Sequence, residues 1–253
     1  MPKMAEQVYR ARFARSRDDV KAAQRLRQRC FAGLAGEALD QDRYDQLCRH
    51  LLVEEHATGR LVCCCRVMRF DTGADIQTSY SAQFYDLSGL QAHSVPMLEI
   101  GRFCIDPQTS GADVLRTTWG ALTLYVDQQK ARVLFGCSSF SGTDTRPYLD
   151  AFALLSRQYL APKYLRPNVK APDVVRFVAP PCKISDEKQA WASLPPLLRS
   201  YLAMGGWVSD HAVVDENMNS LHVFTGLDIS AIPPARARLL RAVAKSPAVA
   251  LRA

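Results

Sequence analysis

The chain has 253 residues, of which 48% are hydrophobic and 23% are charged, and its net charge is +7. This length and composition are typical of a globular protein that buries a core without disulfides. The longest apolar run, around 61–65, has only a few residues, whereas a transmembrane helix needs about 20, so we expect no membrane-spanning segment. The basic N-terminus lacks the apolar stretch of a secretory signal, so we expect a cytoplasmic protein.

The first part of the chain alternates between helical and strand-like patterns. Apolar residues at helical spacing predict a helix that begins at Asp18 or Asp19 and ends near residue 34. Two strand-like runs, at about 51–55 and 61–69, flank a turn at 57–60 and predict a hairpin. Further along we predict a strand at 97–105, a helix at 113–129, a strand at 132–139 and a helix at 145–159.

The second part contains shorter elements. We predict a short strand at 174–178, a helix at 196–204 that is terminated by Gly205 and Gly206, strands at 207–214 and 221–227, and a basic helix at 234–245. The chain contains both helices and strands, and strands often follow one another directly in sequence, so the pattern predicts an α/β fold of the α+β kind. Its sheet is expected to be mixed, largely antiparallel and twisted, with helices on its faces.

Eight cysteines are present, three of them consecutive at positions 63–65. Successive residues of a strand point to opposite faces, so these three cannot close on one metal ion. No C-x-x-C pair occurs, and the histidines show no ligand spacing. We therefore expect reduced thiols and no metal site.

The positive charge is concentrated at the two ends of the chain. Residues 1–29 contain nine lysines and arginines against three acids, and residues 233–253 contain five cations and no acid. Basic ends indicate contact with an anionic partner, which could be nucleic acid, a lipid surface or an acidic protein. Solvated surface helices would give the same pattern.

The segment at 97–105 carries two opposite charges, Glu99 and Arg102, inside an apolar strand. Burial of an unpaired charge is costly, so each needs the other, another polar group or a ligand. Residues three apart face opposite sides of a regular strand, but a bulge at Gly101 would bring both side chains to one side and leave a backbone N–H for a substrate carbonyl. The alternative is a structural ion pair at the edge of the sheet.

This segment also carries a resemblance. The run from Glu99 to Cys104, followed by Asp106, Pro107 and a helix, resembles a strand of the ornithine-lipid N-acyltransferases, which belong to the GNAT-like group together with the acyl-homoserine-lactone synthases. Both families share the further motifs that the chain matches, which are Leu26, Arg27 and Phe31 on the first helix, the pair Asp42 and Asp45, the strand residue Arg66, and the strand at 134–140. The run at 194–206 is similar to the ornithine-lipid enzymes specifically.

Two departures refine the resemblance. Glu37 stands where the lactone synthases have an aromatic residue, which argues against that branch. Asp113 occupies the last small position of the GNAT phosphate loop, where a carboxylate would oppose a pyrophosphate at the helix N-terminus. This weakens coenzyme A as the acyl donor and favours an acyl carrier protein, as both families imply.

The resemblance implies transfer of a 3-hydroxyacyl chain from acyl carrier protein to the α-amine of L-ornithine, which gives lyso-ornithine lipid. No cofactor belongs to the protein itself, because 4'-phosphopantetheine arrives on the carrier protein. The resemblance also implies a GNAT-like core at 1–160 and a family-specific C-terminal extension at 161–253 that packs on the same domain and ends in the basic helix.

The chemistry indicates a role for each matched residue. Glu99 would take the proton of the attacking amine, a backbone N–H around Gly101–Phe103 would bind the oxyanion, and Arg102 would hold Glu99 or bind a substrate carboxylate. By resemblance, the substrate-binding residues are Arg27, Phe31, Asp42, Asp45, Arg66, Gly101 and Phe103. Ser138 and Ser139 could donate to the pantetheine or merely finish a strand. Cys104 and Cys137 are expected to pack rather than react.

Three alternatives stay open at this stage. The same chemistry could act on another amino acid such as glutamine, or could make an acyl-homoserine lactone. The chain could also be a basic binding module without catalysis, although no nucleic-acid motif is recognisable, so we expect no nucleic-acid partner. The last helix could lie on an anionic membrane, which would make the protein peripheral to the inner membrane.

Overall fold

The computed structural model of the chain describes residues 8–31, 38–178, 184–249 and 251. The strands are β1 (Tyr9–Phe13), β2 (Arg49–Glu55), β3 (Leu61–Phe70), β4 (Tyr85–Asp86), β5 (Met97–Ile105), β6 (Val133–Ser141), β7 (Asn168–Val169), β8 (Val174–Arg176), β9 (Trp207–Asp215) and β10 (Ser220–Asp228). The helices are α1 (Arg17–Phe31), α2 (Ser88–Gln91), α3 (Gly111–Gln129), α4 (Leu149–Gln158), α5 (Glu187–Ser193), α6 (Pro196–Ala203) and α7 (Pro234–Ala244).

The predicted helices and strands all occur, with ends that differ by a few residues, except that residues 32–34 of the first predicted helix lie outside the described residues. Strand β1 was not predicted, although its apolar residues alternate with two arginines, because the N-terminal segment was interpreted by its basic charge alone. The segment at 71–79, for which no helix or strand was predicted, contains the 3₁₀ turn Gly73–Thr78. Turns of this length lack the apolar periodicity on which sequence prediction depends.

The chain forms two compact units, and both are discontinuous in sequence. The first contains the described residues of Met1–Met68, Ile100–Lys130 and Pro234–Ala253, and the second contains those of Arg69–Glu99 and Ala131–Pro233. Strand β5 contributes to both, with Met97–Glu99 in the second unit. The boundary that we placed after residue 160 lies inside the second unit, where the C-terminal strand β10 pairs with β6 along its full length.

The first unit has strands in the order β1-β2-β3-β5, and β2 is antiparallel to both β1 and β3. Helix α1 covers one face of the sheet, where Ala23 and Leu26 pack against Leu52, Cys64 and Cys104. Because apolar side chains on one stripe of α1 meet one face of the strands, this contact forms the core around the charged residues described below.

Helices α3 and α7 form the second layer of this unit. Tyr125 of α3 packs edge-on against Phe13 with ring centroids 4.8 Å apart. Helix α7 lies so close to α3 that a Cβ at Gly120 would be 2.6 Å from a methyl carbon of Val243. The consecutive cysteines of β3 point to opposite faces as expected, since Cys63 contacts Thr118 of α3 whereas Cys64 contacts the carbonyl of Ala23 in α1.

The second unit is built on the antiparallel strands β6, β10, β9 and β8. Helices α4, α5 and α6 cover these strands with a shared apolar core that includes Phe140, Leu155 and Leu198. Helix α6 ends as predicted, because Gly205 has a left-handed backbone with φ of 90° and such a conformation favours glycine. Together the two units contain a mixed, mostly antiparallel set of strands flanked by helices.

Candidate functional site

The first unit contains a cluster of three arginines and three aspartates, which we term the charged cluster. Its members are Arg27 on α1, Asp40, Asp42 and Asp45 in and before the short 3₁₀ turn Arg43–Gln46, Arg66 on β3 and Arg102 on β5. Their opposite charges are equal in number. The cluster therefore needs no counterion, which lets it lie in a largely buried position.

Arg27 and Asp45 form the innermost pair of the charged cluster. Nη1 and Nη2 of Arg27 lie 2.8 and 3.0 Å from the two carboxylate oxygens of Asp45, and the Arg27 side chain is only 1% exposed. Burial alone would raise the pKa of Asp45, but hydrogen bonds from Arg27 and Gln24 and the charge of Arg66 lower it well below its usual value. Asp45 is thus ionised at neutral pH and pairs with Arg27 as a charged group.

Asp42 and Asp45 also cap the 3₁₀ turn. The Asp42 carboxylate accepts from the backbone nitrogen of Tyr44 at 2.8 Å, and the Asp45 carboxylate accepts from the backbone nitrogen of Asp42 at 3.3 Å. Asp42 additionally accepts a hydrogen bond from Arg66. Asp42 and Asp45 therefore both cap the turn and pair with arginines.

Asp40 is a functional candidate that sequence reasoning missed. Its Oδ2 lies 2.8 Å from Nε of Arg27 and 3.1 Å from Nε of Arg102, so it joins α1 to β5. It lies two residues before the Asp42 and Asp45 pair, in the same polar segment. Its closeness in sequence to Asp42 and Asp45 was the signal that could have identified it.

Arg102 has an unusual backbone for a residue inside a strand, with φ of 50°. We expected the distortion at Gly101, but the left-handed residue is the next one along the chain. Positive φ is unfavourable for a side chain with a Cβ, so contacts of the arginine must hold it there. Its guanidinium lies 3.4 Å from Asp42 and 6.0 Å from the centre of the Phe31 ring, in addition to its bond with Asp40.

Gly101 and Phe103 flank Arg102 on β5. A Cβ at Gly101 would meet no atom within 4 Å, so this side of the strand is open. Phe103 is half-buried. An open strand beside a left-handed residue is where a bound substrate could approach the backbone closely.

Glu99 lies in the second unit and is 4% exposed. Its carboxylate accepts three hydrogen bonds, from the backbone nitrogens of Tyr80 at 2.9 Å and Ser81 at 2.7 Å and from Oγ of Ser81 at 2.6 Å. We expected an apolar setting that would favour the protonated acid. The structure instead supplies donors from the turn at 80–81, and donors of this kind stabilise the ionised form.

The serines of β6 differ from each other. Ser138 is buried, and its Oγ accepts from Oγ1 of Thr225 at 3.0 Å on the neighbouring strand β10. Ser139 is exposed on the other face. Ser138 therefore has a structural role in the interior, and Ser139 is the serine of this pair that a ligand could reach.

The cysteines near these residues are placed for packing. Cys104 is buried, and its hydrogen bonds with Cys30 and Cys64, together with burial, raise the pKa of its thiol well above the usual value. Cys137 donates to Oγ of Ser81 at 3.5 Å. A thiol that is kept protonated is a poor nucleophile, so Cys104 does not support a covalent acyl intermediate. Within the described ranges, no group of three or more His, Cys, Asp and Glu could hold a metal ion.

Comparison with known proteins gives consistent results. Residues 26–120 match a family model described as an acetyltransferase (GNAT) domain. The chain is 33% identical over 238 residues to an L-ornithine N(alpha)-acyltransferase of Rhodobacter capsulatus, with 88% of this chain and 91% of that protein covered. It is 30% identical to the L-ornithine N(alpha)-acyltransferase of Brucella abortus, with 87% and 84% covered.

Among solved structures, the chain resembles a CoA-dependent acyl-homoserine lactone synthase, BjaI. The TM-score is 0.54, and 96% of this chain and 93% of that chain are covered at 11% sequence identity. At such low identity the likeness concerns the fold alone.

Proposed function

This chain belongs to the L-ornithine N(alpha)-acyltransferase family, and we propose that it transfers a 3-hydroxyacyl group from acyl carrier protein to the α-amine of L-ornithine, giving lyso-ornithine lipid. The protein is an acyltransferase, which removes the alternative of a basic module without catalysis. The observation that carries the assignment is the 33% identity that extends over 88% of the chain.

The proposed reaction begins with removal of a proton from the acceptor. An α-amine has a pKa near 8, so at neutral pH it is mostly an ammonium ion, which cannot attack a thioester. Glu99 takes this proton, directly or through a water molecule. Its ionised form, stabilised by Tyr80 and Ser81, is the form that can accept a proton.

The amine then attacks the thioester carbonyl. The new C–N bond forms, the carbonyl oxygen becomes an oxyanion, and backbone N–H groups around Gly101–Phe103 stabilise that charge. When the intermediate collapses, the C–S bond breaks and the pantetheine leaves as a thiolate, while the nitrogen releases its second proton to water and becomes the neutral amide nitrogen. The proton held by Glu99 neutralises the thiolate, which returns the enzyme to its starting state.

The acceptor is recognised by the charged cluster. Asp42, with a side chain 24% exposed, is its most accessible carboxylate and would bind the side-chain ammonium of ornithine. Arg102 and Arg66 would bind the acceptor carboxylate, and Phe31 would pack beside Arg102. Because Arg27 and Asp45 are already paired, they act by holding the other members in place.

The choice of donor is supported by Asp113. This residue lies in the first turn of α3, 62% exposed and 3.0 Å from Arg116. A carboxylate here opposes the pyrophosphate of coenzyme A, which GNAT proteins bind at this helix N-terminus. A carrier protein presents pantetheine without that pyrophosphate. Ser139 would contact the pantetheine.

Helix α7 supports peripheral contact with an anionic membrane, where a single-chain lipid product would be released. The exposed Lys245 follows its last residue, and the helix itself carries the exposed cations Arg236 and Arg238 and also Leu239, which is 63% exposed. Its inner face packs on α3 through Val243. Among the described residues, no helix has both the length and the apolar character needed to cross a bilayer.

An acceptor and donor panel tests the proposed function. Purified protein is incubated with 3-hydroxyacyl carrier protein and L-ornithine, L-lysine, L-glutamine or S-adenosylmethionine, and each acceptor is repeated with the matching acyl-CoA. We expect an N-acyl product with ornithine and the carrier protein. Turnover of another acceptor in place of ornithine would show that ornithine is not the acceptor. A preference for acyl-CoA would show that acyl carrier protein is not the donor.

A further inference from the structure

A basic groove of about 1130 Å³ lies in the first unit, between the start of α1, the 3₁₀ turn Arg43–Gln46 and the start of β2. The cations that line it are Arg15, Arg17, Lys21, Arg43 and Arg49, and all five are exposed. Two acids also line it, Asp42 and Asp45. Both acids are already neutralised by arginines of the charged cluster, so the groove has a strongly positive surface.

Three of these cations are available for a partner. The side chains of Arg15, Arg17 and Lys21 make neither a hydrogen bond nor an ion pair with any residue that the structure describes. Arg49 is held in position by stacking, since its guanidinium lies 4.0 Å from the centre of the Phe13 ring and 5.4 Å from that of Tyr125. Three exposed cations without partners among the described residues, next to a fourth that is held in position, are suited to binding an anionic partner.

We propose that this basic groove is the docking surface for an acidic helix of the acyl carrier protein. The inference rests on the proposed function and adds the place where the donor protein binds. Like charges that crowd a surface repel one another, and an acidic partner relieves that repulsion on binding.

The shape and size of the groove favour a protein helix over other anions. A pocket for a small molecule usually measures about 300–1,000 Å³, so a groove of about 1130 Å³ exceeds a small anion's needs. A bilayer is flat and cannot enter a concave surface, whereas a protruding helix can. The groove also reaches Asp42, which contacts Arg102, so a carrier protein seated there would lie beside the charged cluster.

Charge reversal tests the surface. We compare wild type with a triple variant, Arg15→Glu, Arg17→Glu and Lys21→Glu. A matched control, Lys163→Glu, Arg176→Glu and Lys188→Glu, makes the same change in net charge at exposed cations of the second unit. Steady-state kinetics are measured with 3-hydroxyacyl carrier protein and, separately, with the same acyl chain on free pantetheine, at low and high salt.

We expect the KM for acyl carrier protein to rise at least about tenfold in the groove variant, with kcat nearly unchanged. Its salt dependence should weaken, because fewer charges are left to screen. Turnover of acyl-pantetheine, which has no protein to dock, should change less than about twofold. The control variant should keep the wild-type KM for the carrier protein.

The possible failures are distinguishable. If wild type does not use acyl carrier protein, the proposed donor is wrong. If wild type uses it and the groove variant keeps its KM, or if both triple variants raise KM equally, the docking surface is wrong. Loss of binding to vesicles with anionic lipid, with KM for the carrier unchanged, would identify the groove as a membrane contact and would also overturn the inference.

Discussion

Ser81 donates two hydrogen bonds to a single oxygen of Glu99, from its backbone nitrogen at 2.7 Å and from its Oγ at 2.6 Å. A third donor, the backbone nitrogen of Tyr80, reaches the other oxygen. A group that transfers protons must be held in one position, and three convergent donors achieve that in a buried setting. Hydrogen bonds to a carboxylate favour its charged form, which is the form that can act as a base.

Replacement of Glu99 by Gln removes the proton acceptor and keeps the side-chain volume. We expect kcat for ornithine acylation to fall about 10²–10⁴-fold, which is the usual contribution of general base catalysis. The measurement is steady-state kinetics at saturating ornithine, accompanied by thermal unfolding to verify that the variant is folded.

Ser81→Ala is the matched control for Glu99. It removes one of the three donors and leaves both backbone donors, so we expect less than about a tenfold loss of kcat. An unchanged kcat in Glu99→Gln would remove Glu99 from the mechanism. Equal losses in the two variants would mean that Glu99 only holds the turn at 80–81.

Arg102 allows a test of backbone strain that is independent of catalysis. Both Arg102→Ala and Arg102→Gly remove the guanidinium and its bonds to Asp40 and Asp42, but only glycine adopts a φ of 50° without cost. We expect Arg102→Gly to exceed Arg102→Ala by about 1 kcal/mol in free energy of unfolding, measured by urea denaturation.

The neighbouring Phe103 provides the opposite control. Its φ is not positive, so at this position glycine should be less stable than alanine by about 0.5–1 kcal/mol. If glycine were the less stable replacement at both positions, Arg102 would not have the left-handed backbone in solution.

Much of this arrangement could be predicted from sequence, and the parts that could not have clear reasons. Arg27, Asp42, Asp45 and Arg66 were identified because they match motifs of the families that the chain resembles. Asp40 was missed, because its role depends on a contact with Arg102 across 62 residues of chain. Long-range pairing of this kind leaves no local pattern.

The environment of Glu99 was the other difference. The surrounding residues are apolar, so the sequence predicted that Glu99 needs Arg102, another polar group or a ligand as its partner, without indicating which. Its donors come from Tyr80 and Ser81, 19 and 18 residues away, and two of the three are backbone nitrogens. Backbone donors are present at nearly every residue, and only the folded turn aims them at one acid.

The pair of Arg27 and Asp45 predicts a pH dependence of stability. The pKa of Asp45 is lower in the folded protein than in the unfolded chain, where it is about 3.9. The stabilisation is therefore complete above that pH and is lost as the pH falls towards the folded pKa. We expect Asp45→Asn to cost about 3 kcal/mol at pH 7, the lower end of the usual cost of breaking a buried ion pair, because Asp40 still pairs with Arg27.

Urea denaturation at several pH values measures this effect. The difference between wild type and Asp45→Asn should shrink below about pH 4, because a protonated aspartate resembles asparagine. Asp113→Asn, at an exposed pair with Arg116, should cost less than about 1 kcal/mol at every pH. A difference for Asp45→Asn that is constant from pH 7 to pH 3 would contradict the assigned ion pair.

From the exposed cations and the exposed leucine in and just after α7, we predict that the protein binds anionic vesicles. Each basic residue near such a surface contributes about 1 kcal/mol, so the triple variant Arg236→Glu, Arg238→Glu and Lys245→Glu should weaken binding at least about 100-fold in vesicle sedimentation. The second-unit control with three charge reversals should bind nearly as wild type does, since its cations lie outside α7.

Leu239→Asp should also weaken binding, but this loss should persist in high salt, because it removes an apolar contact rather than a charge. Equal losses in the α7 variant and the control would show that net charge alone governs binding, and α7 would then have no specific role at the membrane.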